Sequence, residues 1–168
     1  MRWSIQGIGF CMLNQLQITT GNNEMKTLLE HALQYAELGL KIFPLKPKSK
    51  IPLTQNGFKD ATDDIERIKK WWQDCPDANI GIPTGKINDF FVYDIDGGYP
   101  QEFPILTTPH TVKTNRGFHV YFNYPEGITI KSRNGFKGHK VDIKSDGGYI
   151  VAPPSIHPEG GRYEFLNN

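Results

Sequence analysis

The sequence predicts an α+β domain in which helices come first and strands follow. Three observations carry that reading. Two apolar patterns with helical spacing fill the stretch from Lys26 to Trp72. Beyond Pro76 the pattern changes to seven short strand-like runs separated by Gly, Pro and Asn turns. No internal repeat, low-complexity tract or interdomain linker interrupts the 168 residues, of which 38% are apolar, so one domain with its own core is expected.

Taken in order, residues 1–24 carry a short apolar patch, too brief to span a bilayer, with one positive charge before it. They read as a poorly ordered extension or the product of an early start codon, with a signal peptide as the weaker alternative, and the domain proper is expected over 25–168. Leu29, Leu33, Ala36 and Leu40 recur at helical spacing within Lys26–Lys41, and Gly39 is placed to end that helix. A strand-like KIFPL follows, then a Pro-, Lys- and Gly-rich loop over 46–59. Asp63 with Glu66 three residues on reads as a second helix start, leading to Ile65, Ile68, Trp71 and Trp72. The strand runs are NIGIPT, FFVYDID, HTVKT, FHVYF, VDIK, GYIVAPP and RYEF.

Cys11 and Cys75 stand far apart, with no CxxC pair and no Cys/His spacing suited to zinc. A reduced, cytoplasmic protein without structural zinc is expected, and no segment reads as a membrane span. The net charge of +1 favours no partner by itself, but its distribution is uneven. Residues 113–144 carry seven basic side chains against two acids, and residues 55–102 carry five against ten. That split suits an acidic pocket for cations beside a basic surface for a polyanion. Solvated loop surface is the alternative.

The segment IGIPTGK over 80–86 ends like a phosphate-binding Walker loop, but Ile80 and Ile87 stand where that pattern needs Gly and Ser or Thr. It is read as a strand and turn. The run FFVYDIDGG is more informative. Side chains alternate along a strand, so Val92, Asp94 and Asp96 share a face, and two such carboxylates need a metal ion, a basic side chain or a shared proton. Alone, a D-x-D pair is better explained by a solvated strand end or turn in which Asp94 or Asp96 accepts backbone N–H bonds. Asp142, alternating with Val141 and Ile143, adds a third carboxylate if its strand is a neighbour. Three such oxygens suit Mg²⁺ or Mn²⁺ in phosphoryl or nucleotidyl transfer. His119, near Arg116 and between the two acidic strands in sequence, is either an ordinary hydrogen-bonded histidine or a donor to a triphosphate oxygen.

In this order, AELGLKIFPLKPKSKIPL, GFKDAT, KKWW, ANIGIPTG, VYDIDGG, RGFHVYF and VDIKSDGGYIVAPPSIHPEGGRYEF resemble the Prim-Pol domain. This is the bifunctional DNA primase/polymerase N-terminal domain of the archaeo-eukaryotic primase superfamily. The resemblance covers roughly residues 26–165. It implies a primase-like fold, an N-terminal α/β unit joined to a catalytic sheet like that of RNA-recognition motifs. It implies a metal-dependent primase or polymerase serving a plasmid, phage or other mobile element. Its D-x-D motif falls on Asp94 and Asp96 and its third motif on Asp142, which together would hold two Mg²⁺ or Mn²⁺ ions.

Its second motif falls on Arg116, Gly117, Phe118 and His119, with His119 expected at the phosphates of the incoming nucleotide. Arg116 departs from the small residue usual there. Lys50 and Arg133 match recurrent basic positions of the family and are candidates for nucleotide or template contact, and Lys144 joins them as an expected nucleotide contact. The Pro153–Ser155 turn reads as architectural, with a nucleotide contact by Ser155 as the alternative. Implied partners are NTP or dNTP, a single-stranded or primed DNA template and a helicase domain or protein. Basic residues of 113–144 are expected to bind triphosphate and template phosphates, in a manner weakened by salt.

Two other functions are compatible with the residues. A glycosyltransferase whose D-x-D binds Mn²⁺ and a nucleotide-sugar would use Asp94 and Asp96 but gives no role to His119 or Asp142. A non-catalytic nucleic-acid-binding fragment of a replication protein would account for the chain reaching Asn168 without a helicase segment.

Overall fold

A capping box sets the start of the first helix. Thr27 N donates to the Glu30 carboxylate at 2.6 Å, and Glu30 N donates back to Thr27 Oγ1 at 3.2 Å. Helix α1 therefore runs Leu28–Glu37, shorter at both ends than the apolar spacing suggests. Gly39, at φ 81°, closes it as expected by donating to Ala36 O. The structure, a computed structural model, describes residues 26–97, 110–135 and 140–166, so the expectations for 1–24 lie outside the described residues.

Helix α2 spans Ile65–Asp74 and begins one residue later than predicted. Its N-cap is Asp64, whose carboxylate accepts from Glu66 N and Arg67 N. Asp63 instead pairs with Lys41 at 3.3 Å. Both helices turn their apolar faces inward: Ala32, Tyr35, Ile68 and Trp72 are buried in one cluster. Two long-range bonds fasten that cluster, Tyr35 Oη to Pro153 O at 2.9 Å and Trp72 Nε1 to Ala78 O at 3.0 Å.

The strands are β1 (Phe43–Leu45), β2 (Asn79–Pro83), β3 (Phe90–Asp96), β4 (Thr111–Lys113), β5 (Gly117–Asn123), β6 (Val141–Lys144), β7 (Tyr149–Ala152) and β8 (Glu164–Leu166). They form two antiparallel sheets, one ordered β1-β2-β7 and the other β6-β3-β5-β4-β8. Strand β5 spans Gly117–Asn123, one residue longer at each end than the FHVYF run, and His119 is its third residue. Among the described residues, two helices and two antiparallel sheets make the predicted α+β class.

The 80–86 segment folds as a strand and turn. Gly85 has φ 94°, and a Cβ there would meet Asp146 Oδ1 at 2.2 Å. Asp146 itself accepts from Lys86 N and from Tyr124 Oη, a bracing role that keeps it away from the other acids. Ser155 is fully buried and accepts from Ile80 N at 2.9 Å, so the Pro-Pro-Ser turn is architectural.

The five-stranded sheet has two unlike faces. On one, Ile95, Val120 and Val141 form a small buried cluster flanked by Tyr93, Phe118 and Phe122. On the other, Phe90, Val92, Tyr121 and Val112 join the main core with the helices and the three-stranded sheet. This second face changes character along β3: Val92 is buried, Asp94 half-buried and Asp96 exposed. The site begins where the core ends.

Candidate active site

Register brings the predicted residues together. Asp94 on β3 lies directly opposite His119 on β5 and directly opposite Asp142 on β6. Directly opposed residues of antiparallel strands put their side chains on the same face, about 5 Å apart at Cβ. Residues 25 and 48 positions apart along the chain thus form one row across three strands. Asp96, one step further along the same face, is opposite Gly117.

Charges in this row compensate one another. His119 Nε2 lies 3.4 Å from Asp94 Oδ1, and Lys144 Nζ lies 2.8 Å from Asp142 Oδ2 and 3.9 Å from Asp94 Oδ2. Gly135 N also donates to Asp142 Oδ1 at 3.0 Å. Burial pushes the Asp94 carboxyl up, but the His119 hydrogen bond and charge, with Lys144 and Lys50 behind it, more than offset this and hold it below the usual carboxylate range. A basic side chain, one of three remedies for the opposed carboxylates, is therefore present.

Two cavities share Asp94, His119, Lys50 and Tyr163 as walls. One, of about 230 Å³, extends towards Asp96, Arg116 and Glu159. The other, of about 310 Å³, extends towards Lys144, Ser132 and Tyr149. Lys50 comes from the segment between β1 and a 3₁₀ turn at Gly57–Asp60, and its carbonyl accepts from Tyr149 Oη at 2.9 Å. Arg116 is engaged by Glu159: its Nε donates to Oε2 at 3.0 Å and its Nη2 to Oε1. The hydrogen bond and charge of Glu159 push the guanidinium further up, and the same contact lowers the Glu159 carboxyl. Arg133 is not brought to this site. Its backbone bonds to Ile143, which alternates with Asp142, and it lines neither cavity.

Several residues of the site carry no signal in the sequence. Tyr163 lies between two histidines with its ring tilted to both, 5.7 Å from the His119 ring and 5.9 Å from the His157 ring. Burial, together with the charges of Asp94 and Asp96, raises the Tyr163 hydroxyl. Glu159 and His157 sit in the HPEGG part of the last stretch that carries the resemblance, which attaches no role to them. His119 Nδ1 is buried with no hydrogen-bond partner among the described residues, a cost of about 1–3 kcal/mol that a bound ligand could offset.

The residue types of the candidate donor set are those a hard divalent cation takes, but the side chains are not gathered for it. Asp94, Asp96 and Asp142 offer carboxylate oxygens on one face, and Asp94 with Asp142 already shares a cation, the Lys144 ammonium. Among the described residues no three acidic, His or Cys side chains are gathered closely enough to hold a metal as they stand. Lys144 must move aside for a metal to take its place.

A two-sheet α+β domain with an acidic row flanked by lysine, arginine and histidine has the makings of a nucleotide-handling site. The family model described as bifunctional DNA primase/polymerase, N-terminal, or Prim-Pol, matches residues 32–168, and the chain belongs to that family. Membership implies a nucleotidyltransferase of the primase/polymerase type, with nucleotides and DNA as substrates. No curated protein matches the chain. No helix among the described residues is long and apolar enough to cross a membrane.

Proposed function

We propose that this domain is a metal-dependent nucleotidyltransferase that copies a DNA template, as primase, polymerase or both, with the five-stranded sheet as a primase-like catalytic sheet. The observation that carries the reading is the Asp142–Asp94–His119 row across β6, β3 and β5, of which Asp94 and His119 line both cavities. A glycosyltransferase would need only the D-x-D pair and leaves Asp142 and His119 without work.

Asp94, Asp96 and Asp142 would hold Mg²⁺ or Mn²⁺, which when bound would polarise the attacking 3′-hydroxyl and offset charge on the leaving pyrophosphate. His119 donates through Nε2, currently to Asp94, and is positioned to give a hydrogen bond to a phosphate oxygen. Lys144, released from Asp142, becomes a second cation for the triphosphate, and Lys50 stands on the wall shared by both cavities. Arg116 would exchange Glu159 for a phosphate, an exchange favoured because guanidinium binds both anions through the same paired N–H geometry. Copying a single strand requires strand separation, so a helicase domain or protein is the expected partner. Replication of a plasmid, phage or other mobile element is the proposed setting, on the strength of the family resemblance.

The test is incorporation of labelled dNTPs and NTPs on single-stranded templates, with and without an annealed primer, in Mg²⁺ and in Mn²⁺. Product from the native protein and none from Asp94→Asn or Asp142→Asn is expected. Undiminished product in either variant would remove the metal assignment. DNA binding without product in any condition would favour a non-catalytic nucleic-acid-binding module.

A further inference from the structure

The stretch from Lys41 to Lys59 contains five lysines and no acidic residue. Lys41 is paired with Asp63. Lys46, Lys48 and Lys50 are exposed, and among the described residues none of them forms an ion pair. They sit on a tight hairpin. Lys46 N donates to Ile51 O at 2.8 Å, Leu53 N to Pro44 O at 3.0 Å and Ile51 N to Ser49 Oγ at 3.1 Å. Asn79 Nδ2 and Tyr149 Oη hold the carbonyls of Ser49 and Lys50 from the three-stranded sheet. Three like charges are thus presented on a braced loop, where holding them for a ligand costs little further ordering.

Two more features say what the ligand is. Lys50 lines both cavities, whereas Lys46 and Lys48 line neither, so the basic row begins at the catalytic pocket and leads out of it. A nucleotide in the pocket would not need the outer two. Beside them Ile51 and Leu53 are 57% and 42% exposed, two of the four large exposed hydrophobics among the described residues. A run of cations followed by exposed apolar side chains matches a strand whose phosphates are charged and whose base faces are uncovered. A duplex hides those faces and a short nucleotide does not reach that far.

We propose that the 46–53 hairpin is the docking surface for the single-stranded template. Lys46 and Lys48 contact its phosphates, and Ile51 and Leu53 contact its sugars and bases, as the strand passes Lys50 into the site. The proposal rests on the polymerase reading for the name of the strand, but its binding test does not require catalysis.

The experiment is fluorescence anisotropy of a labelled single-stranded oligonucleotide over a range of salt, with Lys46→Glu/Lys48→Glu against the native chain. Affinity should fall on the order of tenfold or more, and the slope of log affinity against log salt should shrink by about 1.4, some 0.7 for each lost phosphate contact. Binding of a fluorescent dNTP with Mn²⁺ should be unchanged. Lys69→Glu/Lys70→Glu makes the same charge change on α2 and should have little effect. DNA affinity of the hairpin variant within about twofold of native, or equal losses in the α2 control, would overturn the proposal. A parallel loss of dNTP binding would also overturn it, by assigning the lysines to the triphosphate or to the fold. Hairpin-dependent DNA binding with no incorporation would sink the catalytic reading and leave the docking surface standing.

Discussion

Gly117 has no side chain because none would fit. A Cβ built there would stand 1.8 Å from Ile95 O, within the pairing of β3 and β5 that sets Asp94 against His119. Gly117→Ala must push the two strands apart and is expected to cost about 2–4 kcal/mol, read as a lower denaturation midpoint, with incorporation lost more steeply than stability. The need for glycine at this position of the chain is therefore steric. Lys144 makes a second expectation at this scale. Lys144→Met leaves Asp94 and Asp142 facing each other with less compensation and should destabilise the protein by about 1–2 kcal/mol without divalent ions. Added Mn²⁺ should then raise its thermal midpoint more than it raises that of the native chain. An equal rise in both would mean that Lys144 does not occupy the cation position.

Among the elements, the two helices are held at their starts by different devices. Thr27 closes a capping box and Asp64 accepts two backbone N–H groups, so Thr27→Ala and Asp64→Ala should each cost about 1 kcal/mol. Asp63→Ala should cost less, because its Lys41 partner is an exposed surface ion. Equilibrium unfolding in urea would rank the three. The adjacency of Asp63 and Asp64 also explains why the sequence pattern points to a helix start one residue before the observed one. Either can cap, and the choice falls to Lys41, a residue brought near by the bridge of Ile42 to Thr62.

For the molecule as a whole, several folded-state pKa values are lowered. Burial depresses His31 and His157, and the balance of His119, Lys144 and Lys50 against burial depresses Asp94. A group whose pKa is lower folded than unfolded contributes stability above its unfolded value and loses it as pH falls through the folded one. The thermal midpoint should therefore be level near neutrality, decline first below about pH 6.5 as the histidines charge, and fall more steeply below about pH 4. A midpoint that held or rose between neutrality and pH 5 would contradict this.

Strand β3 was legible to the residue, because an apolar run ending in alternating acids leaves one reading. So were the α+β class, the common face of Asp94 and Asp96 and the architectural turn at Pro153–Ser155, all of which follow from periodicity and local turn chemistry. The sequence alone also carries the order of motifs that places the chain in its family. What it could not carry is distance between segments. That Asp142 lies beside Asp94, that Arg133 faces elsewhere, that Lys144 spans the two carboxylates and that Tyr163 and Glu159 wall the cavity are decided by strand order and register. Those depend on which sheets close over the shared core, and no local pattern records them.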